Sequence, residues 1–290
     1  HACGHCLSGC ISLLAGLALR DLQDELDADI HVIGTPSEES LDGGKNEMAA
    51  HGGFDHIDVA FMVHGSTLTQ LETPSLALIE MDVEFHGKTA HAGIAPYAGR
   101  SAVDAVTMLQ TGLGLMRNHL KDSSRVSNIV LAGGTAVNSV PDFAKVKVEI
   151  RHSSMAYLES VEQGTGEIAQ AAAMATQTQV QITPVAHIYN TTINDAMGAL
   201  LMECAEKFAC DGIAPPRKDC GSTDFGAVTH RLPSCCLRVK TIETDDPPHT
   251  DAWVKTGKEA RAHQGIYDGA VCCALAAFRL VPDEAAWQDV

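Results

Sequence analysis

The chain has 290 residues, and its 45% hydrophobic and 20% charged content is typical of a globular protein with a sizeable core. Its formal net charge of −17 argues against a nucleic-acid partner, because binding to a phosphate backbone requires clustered cations. No apolar run approaches the roughly 20 residues of a membrane helix, and ten cysteines are too sparse for a disulfide scaffold, so we expect reduced thiols in a soluble, cytoplasmic protein.

The first part of the chain predicts buried elements. Residues 7–20 are apolar almost all round, which predicts a buried helix. A short apolar run at 30–34 stops at a Thr-Pro pair and predicts a buried strand, and a second run at 57–63 ends at His64. Strands that alternate with helices indicate an α/β domain with a mostly parallel sheet. Ligands of such sheets gather beyond the carboxyl ends of the strands, where both runs meet polar residues.

The pattern changes at residues 76–86, which alternate apolar and polar and predict a strand with one face in water. The elements predicted after it are a helix at 101–117, strands at 128–132 and 144–150, a helix at 156–174 and a strand at 179–187. This order is the ferredoxin-like split arrangement. A helix at 195–209 then returns to the first style. We therefore expect an α+β domain of residues 76–188 inserted into an α/β domain made of 1–75 and 189–290.

The sequence begins at His1, without methionine, inside a motif that could carry chemistry, so we expect its natural N-terminal part to be missing. Cys3 and His5 flank a glycine that permits a tight turn, and thiolate and imidazole are both good ligands for zinc-like metals. Two other interpretations stay open. Cys3 and Cys6 form a C-x-x-C pair of the thioredoxin type, or they are simply thiols buried at the start of a helix.

Further metal-binding side chains occur along the chain. Adjacent carboxylates such as Glu38 and Glu39 usually form a solvated pair, but after a strand one can bind a metal while the other takes a proton from water. A lone histidine such as His64 is more often a core residue than a ligand, and His249 lies in a rigid Pro-Pro-His-Thr-Asp loop. The candidate donors for a two-metal site are Cys3, His5, Glu39, His64 and His249.

Several motifs follow one another in an order that resembles a known family. They are HACGH at 1–5, GTPSEE at 34–39, AFMVHG at 60–65, HGKTAHAG at 86–93, GGTAVNSVPD at 133–142, GSTDFG at 221–226 and PPHTDAW at 247–253. Together they resemble metallopeptidase family M20, in its amidohydrolase branch of aminoacylases, hippurate hydrolases and p-aminobenzoyl-glutamate hydrolases. The sequence is most similar to the group of Xaa-Arg and β-alanyl-lysine dipeptidases.

The resemblance implies a metal-dependent exopeptidase-like catalytic domain with an inserted ferredoxin-like lid that also dimerises. It implies one or two divalent ions, zinc or manganese, in each protomer, bound by Cys3, His5, Glu39, His64 and His249. Glu38 corresponds to the general base. His91 corresponds to a histidine that reaches the partner's site to stabilise the oxyanion, and Asn138 to a substrate-binding residue. Asp224, in the GSTDFG stretch, is expected to orient a ligand.

The resemblance therefore implies a homodimeric metallo-amidohydrolase or peptidase that cleaves the amide bond of a small N-acyl amino acid or dipeptide. Water activated by the metal attacks the carbonyl, with Glu38 as general base. The alternative is a non-catalytic, metal-binding homologue that acts as a binding or regulatory subunit. Two departures from the family motivate it: Cys6 stands where an acid or amide is usual, and the upstream strand with its Asp-containing motif is absent.

Overall fold

The computed structural model describes residues 2–40, 43–217 and 221–290, with the side chains of 284–286 excepted. The first elements are α1 (His5–Arg20), α2 (Gly44–Ala50), β1 (Ala60–Ser66) and β2 (Gln70–Leu71). α1 confirms the helix predicted at 7–20, and Ile11 and Leu19 on its inner side are buried. Its outer side differs from the prediction of an all-buried helix, because Leu13 and Leu17 are exposed.

The strand predicted at 30–34 is absent, and within the described residues this run has no regular secondary structure. A strand needs a neighbour that pairs with its backbone groups, and none of the described strands pairs with this run. Its apolar character has another cause. Val32 lies against Gly16 of α1, where an added Cβ would come within 2.2 Å of the valine side chain. The run thus packs on a helix instead of joining a sheet.

A four-stranded unit, residues 77–188, follows in the chain. Its elements are β3 (Ala77–His86), α3 (Ala102–Met116), β4 (Arg125–Ala132), β5 (Phe143–His152), α4 (Met155–Thr176) and β6 (Gln179–Ile188). The strands lie in the order β4-β5-β3-β6, and all neighbours are antiparallel. The sequence predicted this order of elements correctly. The role of the unit as an inserted lid, and the domain limits 1–75, 76–188 and 189–290, stay predictions.

The two faces of this sheet differ as the alternation of β3 predicted. Alternate residues of β3, from Ala77 to Phe85, are fully buried in a core with α3 and α4. The intervening carboxylates face lysines on β5, which register brings opposite them. Lys145 Nζ, for example, lies 2.7 Å from Asp82 and 3.0 Å from Glu84. Each helix begins at a serine, Ser101 or Ser154, whose hydroxyl accepts a hydrogen bond from a backbone N–H of the first turn.

The remaining elements are α5 (Asp195–Phe208), α6 (Gly226–Thr229), β7 (Ser234–Lys240), α7 (Asp251–Thr256), α8 (Ala260–Leu280) and α9 (Glu284–Asp289). In the second sheet, β7 lies between β1 and β2, while α1, α5 and α8 supply much of the core beside it. Across residues 2–40, 43–217 and 221–290, no helix has the length and apolar character needed to cross a bilayer.

The prediction of a mostly parallel sheet is not confirmed. Among the described strands only β1 and β7 pair in parallel, and every other pair is antiparallel. In the four-stranded unit the split arrangement places an antiparallel strand between the two strands of each crossover. In the three-stranded sheet, β2 follows β1 after a short turn and pairs antiparallel with the opposite edge of β7. The chain is thus of mixed α/β architecture.

Cysteines are confined to the parts of the chain outside the four-stranded unit, whose sequence contains none of the ten. All those in the described residues are free thiols. Cys235 and Cys272 are fully buried in the core beside the three-stranded sheet, as the sequence predicted. Burial raises the pKa of both thiols to about 12.

The two connections between the four-stranded unit and the rest of the chain run side by side. The backbone N–H of Ser75 donates to Thr191 Oγ1 at 2.7 Å, and the backbone N–H of Thr191 donates to Ser75 Oγ at 2.9 Å. Both residues are buried. Nearby, the N–H of Leu76 donates to the carbonyl of Gly221 at 3.0 Å. Entry and exit of the unit are therefore joined by reciprocal hydrogen bonds.

Candidate metal centre

Four distant parts of the chain converge at the end of β1. The structure forms three overlapping groups of donors, and within each group the ligand atoms lie within 4.8 Å of one another. The groups are Cys3 with His5 and His64, Cys3 with Glu39 and His249, and His5 with Glu38 and Glu39. The five donors proposed from the sequence are therefore brought together, with Glu38 beside them. Their assignment as ligands and base stays a prediction. We call these six residues the metal centre.

The turn before α1 places Cys3 and His5 at one cavity, which Glu39 and His249 also line. Gly4 between them has a φ of 85°, a conformation that only glycine adopts readily. The late loop docks on this turn, because the backbone N–H of His249 donates to the carbonyl of Ala2 at 2.8 Å. This contact explains how a histidine almost 250 residues along the chain reaches the N-terminal turn.

His64 is the buried donor of the metal centre. Its Nδ1 lies 2.6 Å from the carbonyl oxygen of Gly65, and because a carbonyl can only accept, Nδ1 carries the proton. The lone pair of Nε2 is then directed to the centre, 3.1 Å from His5 Nε2 and 3.6 Å from Cys3 Sγ. Burial, followed by the positive charge of Arg238, lowers the pKa of His64 to about 3. The ring is therefore neutral and ready to bind a cation.

A buried ion pair that sequence reasoning missed lies behind His64. Arg238 is opposite His64 in the β1–β7 register, with its Nη1 3.1 Å from His64 Nδ1. Both atoms carry protons in the tautomer above, so this contact is not a hydrogen bond. The guanidinium is instead bound by the carboxylate of Glu72, which is 6% exposed. The only sequence signal was a charged residue within the apolar run of β7.

The thiol of Cys3 is in an environment that opposes its ionisation. Burial raises its pKa to about 12, and the carboxylates of Glu39 and Glu38 add to this effect. A thiolate beside two carboxylates is a concentration of negative charge that a divalent cation would stabilise. The mixture of thiolate, imidazole and carboxylate is a donor set suited to zinc and related metals. The residues present thus fit a divalent metal.

The two adjacent glutamates approach His5 from different sides. Glu38 Oε2 lies 3.4 Å from His5 Nε2, whereas Glu39 Oε1 lies 3.6 Å from His5 Nδ1. Glu39 Oε1 is also 3.4 Å from His249 Nε2, so this carboxylate lies between two histidines. Ser37, just before the pair, has a φ of 59°, and this left-handed residue turns the backbone there. The pair therefore lies at a turn, as the sequence argument required, with one member between histidines and the other beside them.

Two glycines, also missed, pack the GTPSEE loop against the rest of the centre. A Cβ on Gly44 would lie 1.9 Å from the carbonyl oxygen of Pro36, so only glycine fits there. A Cβ on Gly43 would lie 2.7 Å from Cβ of Asp224. The start of α2 is thus in direct contact with the loop that carries Glu38 and Glu39. The Gly-Gly pair directly after that loop was the available sequence signal.

Asp224 does not have the role expected for it. Its two oxygens bind Lys45, at 2.6 Å to Nζ and 3.0 Å to the backbone nitrogen, and both residues are buried. The contact with the metal centre comes instead from its neighbour Thr223, whose hydroxyl lies 3.0 Å from Glu38 Oε1. Asp224 therefore anchors its loop to α2, because a buried carboxylate requires a partner of opposite charge.

His91 and Asn138 lie together at the surface of the four-stranded unit. His91 forms a bridge with Ser139, and the N–H of Ala92 donates to the carbonyl of Asn138 at 2.8 Å. Both side chains belong to exposed residues. Within the part of the chain that the structure describes, the donor groups around Cys3 include neither residue. The structure thus brings these two residues to each other and not to the metal centre of their own chain.

Comparison with known proteins identifies the family. Residues 1–262 match the model of peptidase family M20/M25/M40. The chain belongs to peptidase family M20. The resemblance read from the motifs is therefore confirmed, and its fold and its cluster of donors can be set beside other members of the family.

Among its relatives is the Xaa-Arg dipeptidase of Mus musculus, which is 32% identical over 263 residues, 88% of this chain and 61% of the relative. A p-aminobenzoyl-glutamate hydrolase chain of Escherichia coli is 31% identical over 68% of this chain and 42% of its own. This chain therefore spans about half the length of these curated relatives. A solved structure from Bacillus subtilis, a dinuclear metal-binding peptidase of the M20 family, superposes with a TM-score of 0.73 at 17% identity, covering 97% of this chain and 73% of that one.

Proposed function

We propose that this chain forms the active site of a metal-dependent amidohydrolase that cleaves the amide bond of a small N-acyl amino acid or dipeptide. The observation that carries the proposal is the convergence of Cys3, His5, Glu39, His64 and His249 around one cavity, with the carboxylate of Glu38 beside them. The names of the relatives support it, because a dipeptidase and an aminobenzoyl-glutamate hydrolase both cleave such bonds. A cytoplasmic location is part of the proposal.

The five donors would hold one or two divalent ions. His64 offers the lone pair of Nε2, while Cys3, His5 and Glu39 each belong to two of the donor groups and are therefore suited to a pair of neighbouring sites. When bound, such ions polarise the scissile carbonyl and increase the acidity of water. The thiol and imidazoles favour zinc, and the carboxylates are equally compatible with manganese.

Glu38 is the proposed general base. One of its oxygens accepts a hydrogen bond from Thr223, and the other lies on the His5 side of the centre. Its side chain is 20% exposed, so water reaches it, whereas the Glu39 carboxylate lies between two histidines. Glu38 removes the proton from the attacking water and then delivers it to the leaving amine.

Homodimer formation would bring His91 and Asn138 of one protomer to the site of the other. The two edges of the four-stranded sheet suggest which one pairs. β6 has Pro184 beside a register shift, which weakens strand pairing. β4 has no proline, and three consecutive aliphatic side chains at 129–131 are exposed. We therefore propose β4 as the edge that meets the second protomer, where His91 would stabilise the oxyanion and Asn138 would bind substrate.

The test is Glu38→Gln in the full-length protein, with Glu47→Gln, an exposed residue of α2, as the matched control. We expect hydrolysis of Xaa-Arg dipeptides, p-aminobenzoyl-glutamate or N-acyl amino acids to fall by about 10²- to 10⁴-fold, because the proton acceptor is lost. Metal content, measured by elemental analysis, should stay at the wild-type level. The control should be as active as wild type.

Two results would contradict the proposal. Loss of metal together with activity in Glu38→Gln would make Glu38 a ligand and remove the assignment of the base. A wild-type protein that binds metal tightly but cleaves no member of the panel would support the alternative, a non-catalytic homologue that serves as a binding or regulatory subunit.

A further inference from the structure

We infer that Thr223 is a positioning residue for Glu38, holding one carboxylate oxygen so that the other faces the metal centre. The inference rests on the proposed role of Glu38 as general base and adds to it a residue whose contact appears only in the folded chain. Thr223 Oγ1 lies 3.0 Å from Glu38 Oε1, although 185 positions separate the two residues in sequence.

The direction of this hydrogen bond is fixed by the other contacts of the hydroxyl. Thr223 Oγ1 accepts a hydrogen bond from the backbone N–H of Phe225 at 3.3 Å. A hydroxyl has a single proton, and an ionised carboxylate can only accept. The proton of Thr223 is therefore directed to Glu38. A hydrogen bond to a charged group is stronger than one between neutral groups, so this contact restrains the rotation of the carboxylate.

Thr223 itself is held in place by its neighbours. The next residue, Asp224, is 1% exposed and paired with Lys45. Gly226 packs so closely on the preceding chain that an added Cβ would lie 2.1 Å from the carbonyl oxygen of Tyr189. Threonine is β-branched and therefore has few accessible rotamers. The hydroxyl thus starts from a fixed backbone and a stiff side chain, as a positioning group requires.

The consequence for Glu38 is a division of labour between its two oxygens. Oε1 is held by Thr223, and Oε2 lies 3.4 Å from His5 Nε2 on the side of the metal centre. Reactions in enzymes are sensitive to small displacements of the reacting groups. Without the hydroxyl, the carboxylate rotates more freely and presents Oε2 in the right direction for a smaller share of the time. The expected loss is therefore in kcat, not in substrate binding.

The same loop also contacts the four-stranded unit. Ser222, directly before Thr223, accepts a hydrogen bond from Arg151 Nη1 of β5 at 3.3 Å. Arg151 is at the same time bound by both oxygens of Glu149, at 2.8 and 2.9 Å. The position of Thr223 therefore depends on contacts from α2 on one side and from β5 on the other.

The experiment compares Thr223→Val, which keeps the shape but removes the hydroxyl, with Thr223→Ser, which keeps the hydroxyl. In the full-length metal-loaded protein we expect kcat of Thr223→Val to fall by about 10- to 100-fold, the range for a hydrogen bond to a charged group. KM and metal content should change by less than about twofold, and thermal unfolding should stay close to wild type. Thr223→Ser should restore kcat to within about threefold of wild type. Thr223→Ala replaces the valine variant if that variant does not fold.

A double variant separates positioning from a general effect on the site. In a Glu38→Ala background there is no carboxylate to hold, so adding Thr223→Val should lower the residual rate no further. An unchanged kcat in Thr223→Val, a serine variant no better than valine, or a full additional loss in the double variant would each overturn the inference. These failures differ from failure of the proposed function, in which Glu38→Gln itself stays active or loses its metal.

Discussion

The four-stranded unit and the metal centre are built in opposite ways. The unit comes from one continuous stretch of chain, its core is fully buried, and register places its carboxylates opposite lysines. The metal centre takes its donors from residues as far apart as Cys3 and His249, and it places a thiol beside two carboxylates. Two of its turns contain left-handed residues other than glycine, Ser37 and His249. The first region is organised for stability, and the second keeps unfavourable arrangements that a bound cation would relieve.

Composition makes the two regions separately observable. The four-stranded unit contains neither of the two tryptophans and none of the ten cysteines. Trp253 lies near the turn of the metal centre, 3.7 Å from the Cβ position of Gly4, and its Nε1 donates to the carbonyl of Asp246 at 2.9 Å. Tryptophan fluorescence therefore reports on the part of the chain that contains the metal centre, while far-UV circular dichroism reports on both parts.

The largest effect is expected from Leu109→Ala in the four-stranded unit. Leu109 is a fully buried residue of α3, and removing such a side chain costs about 2 to 5 kcal/mol of the free energy of unfolding. The loss should appear in urea unfolding followed by circular dichroism, with metal content per folded molecule unchanged. Leu115→Ala, at an exposed position of the same helix, is the control. A parallel loss of metal would show that the two regions are one cooperative unit and would break the comparison.

Alkaline pH should destabilise the other region of the metal-free, reduced protein. Burial raises the pKa of Cys235 and Cys272 to about 12, whereas thiols of an unfolded chain ionise near pH 8.5. Above that pH the unfolded chain releases protons that the folded chain keeps, so stability falls as pH rises. At pH 9.5 the loss is about 1.4 kcal/mol per thiol, or roughly 3 kcal/mol for both.

The measurement is the urea midpoint by tryptophan fluorescence at pH 7.5 and 9.5. Replacing both cysteines with alanine should reduce the difference between the two pH values. If the double variant loses as much stability as wild type between pH 7.5 and 9.5, the buried thiols are not its cause.

The smallest of these effects is expected from His249→Ala. His249 is 63% exposed and contributes one donor atom, so its removal should weaken zinc binding by at least about tenfold, or 1.4 kcal/mol, without lowering the fluorescence melting temperature of the metal-free protein. Titration against a competing chelator gives the affinity, with His263→Ala, an exposed histidine of α8, as the control. Equal affinities in the two variants would remove the Pro-Pro-His loop from the metal centre.

Local sequence patterns predicted the four-stranded unit better than the rest of the chain. Its strands alternate, and its helices begin at serine caps, so each element could be read from its own residues. The apolar run at 30–34 was misread as a strand, because burial against Gly16 of α1 produces the same pattern as burial in a sheet. An apolar run indicates burial but does not identify the neighbour.

The metal centre was only partly legible. The spacing of Cys3 and His5 indicated a metal on chemical grounds, but nothing local indicated that His249 joins them, and the family resemblance supplied that step. The contacts of Thr223 with Glu38 and of Arg238 with Glu72 were not predicted. Each joins ordinary polar residues more than 160 positions apart, and such pairs leave no periodic pattern in the sequence.

The hydrogen bonds that join Ser75 and Thr191 have a consequence for how this architecture tolerates insertion. The ends of a long insertion must be brought together, and the entropy lost in doing so grows only slowly with length. Here the host chain already holds those ends side by side, within one hydrogen bond of each other. A chain rejoined by a short linker across this point would leave β1, β2 and β7 paired as they are. The same junction would accept a module of different size, so the two sheets are free to diverge at different rates.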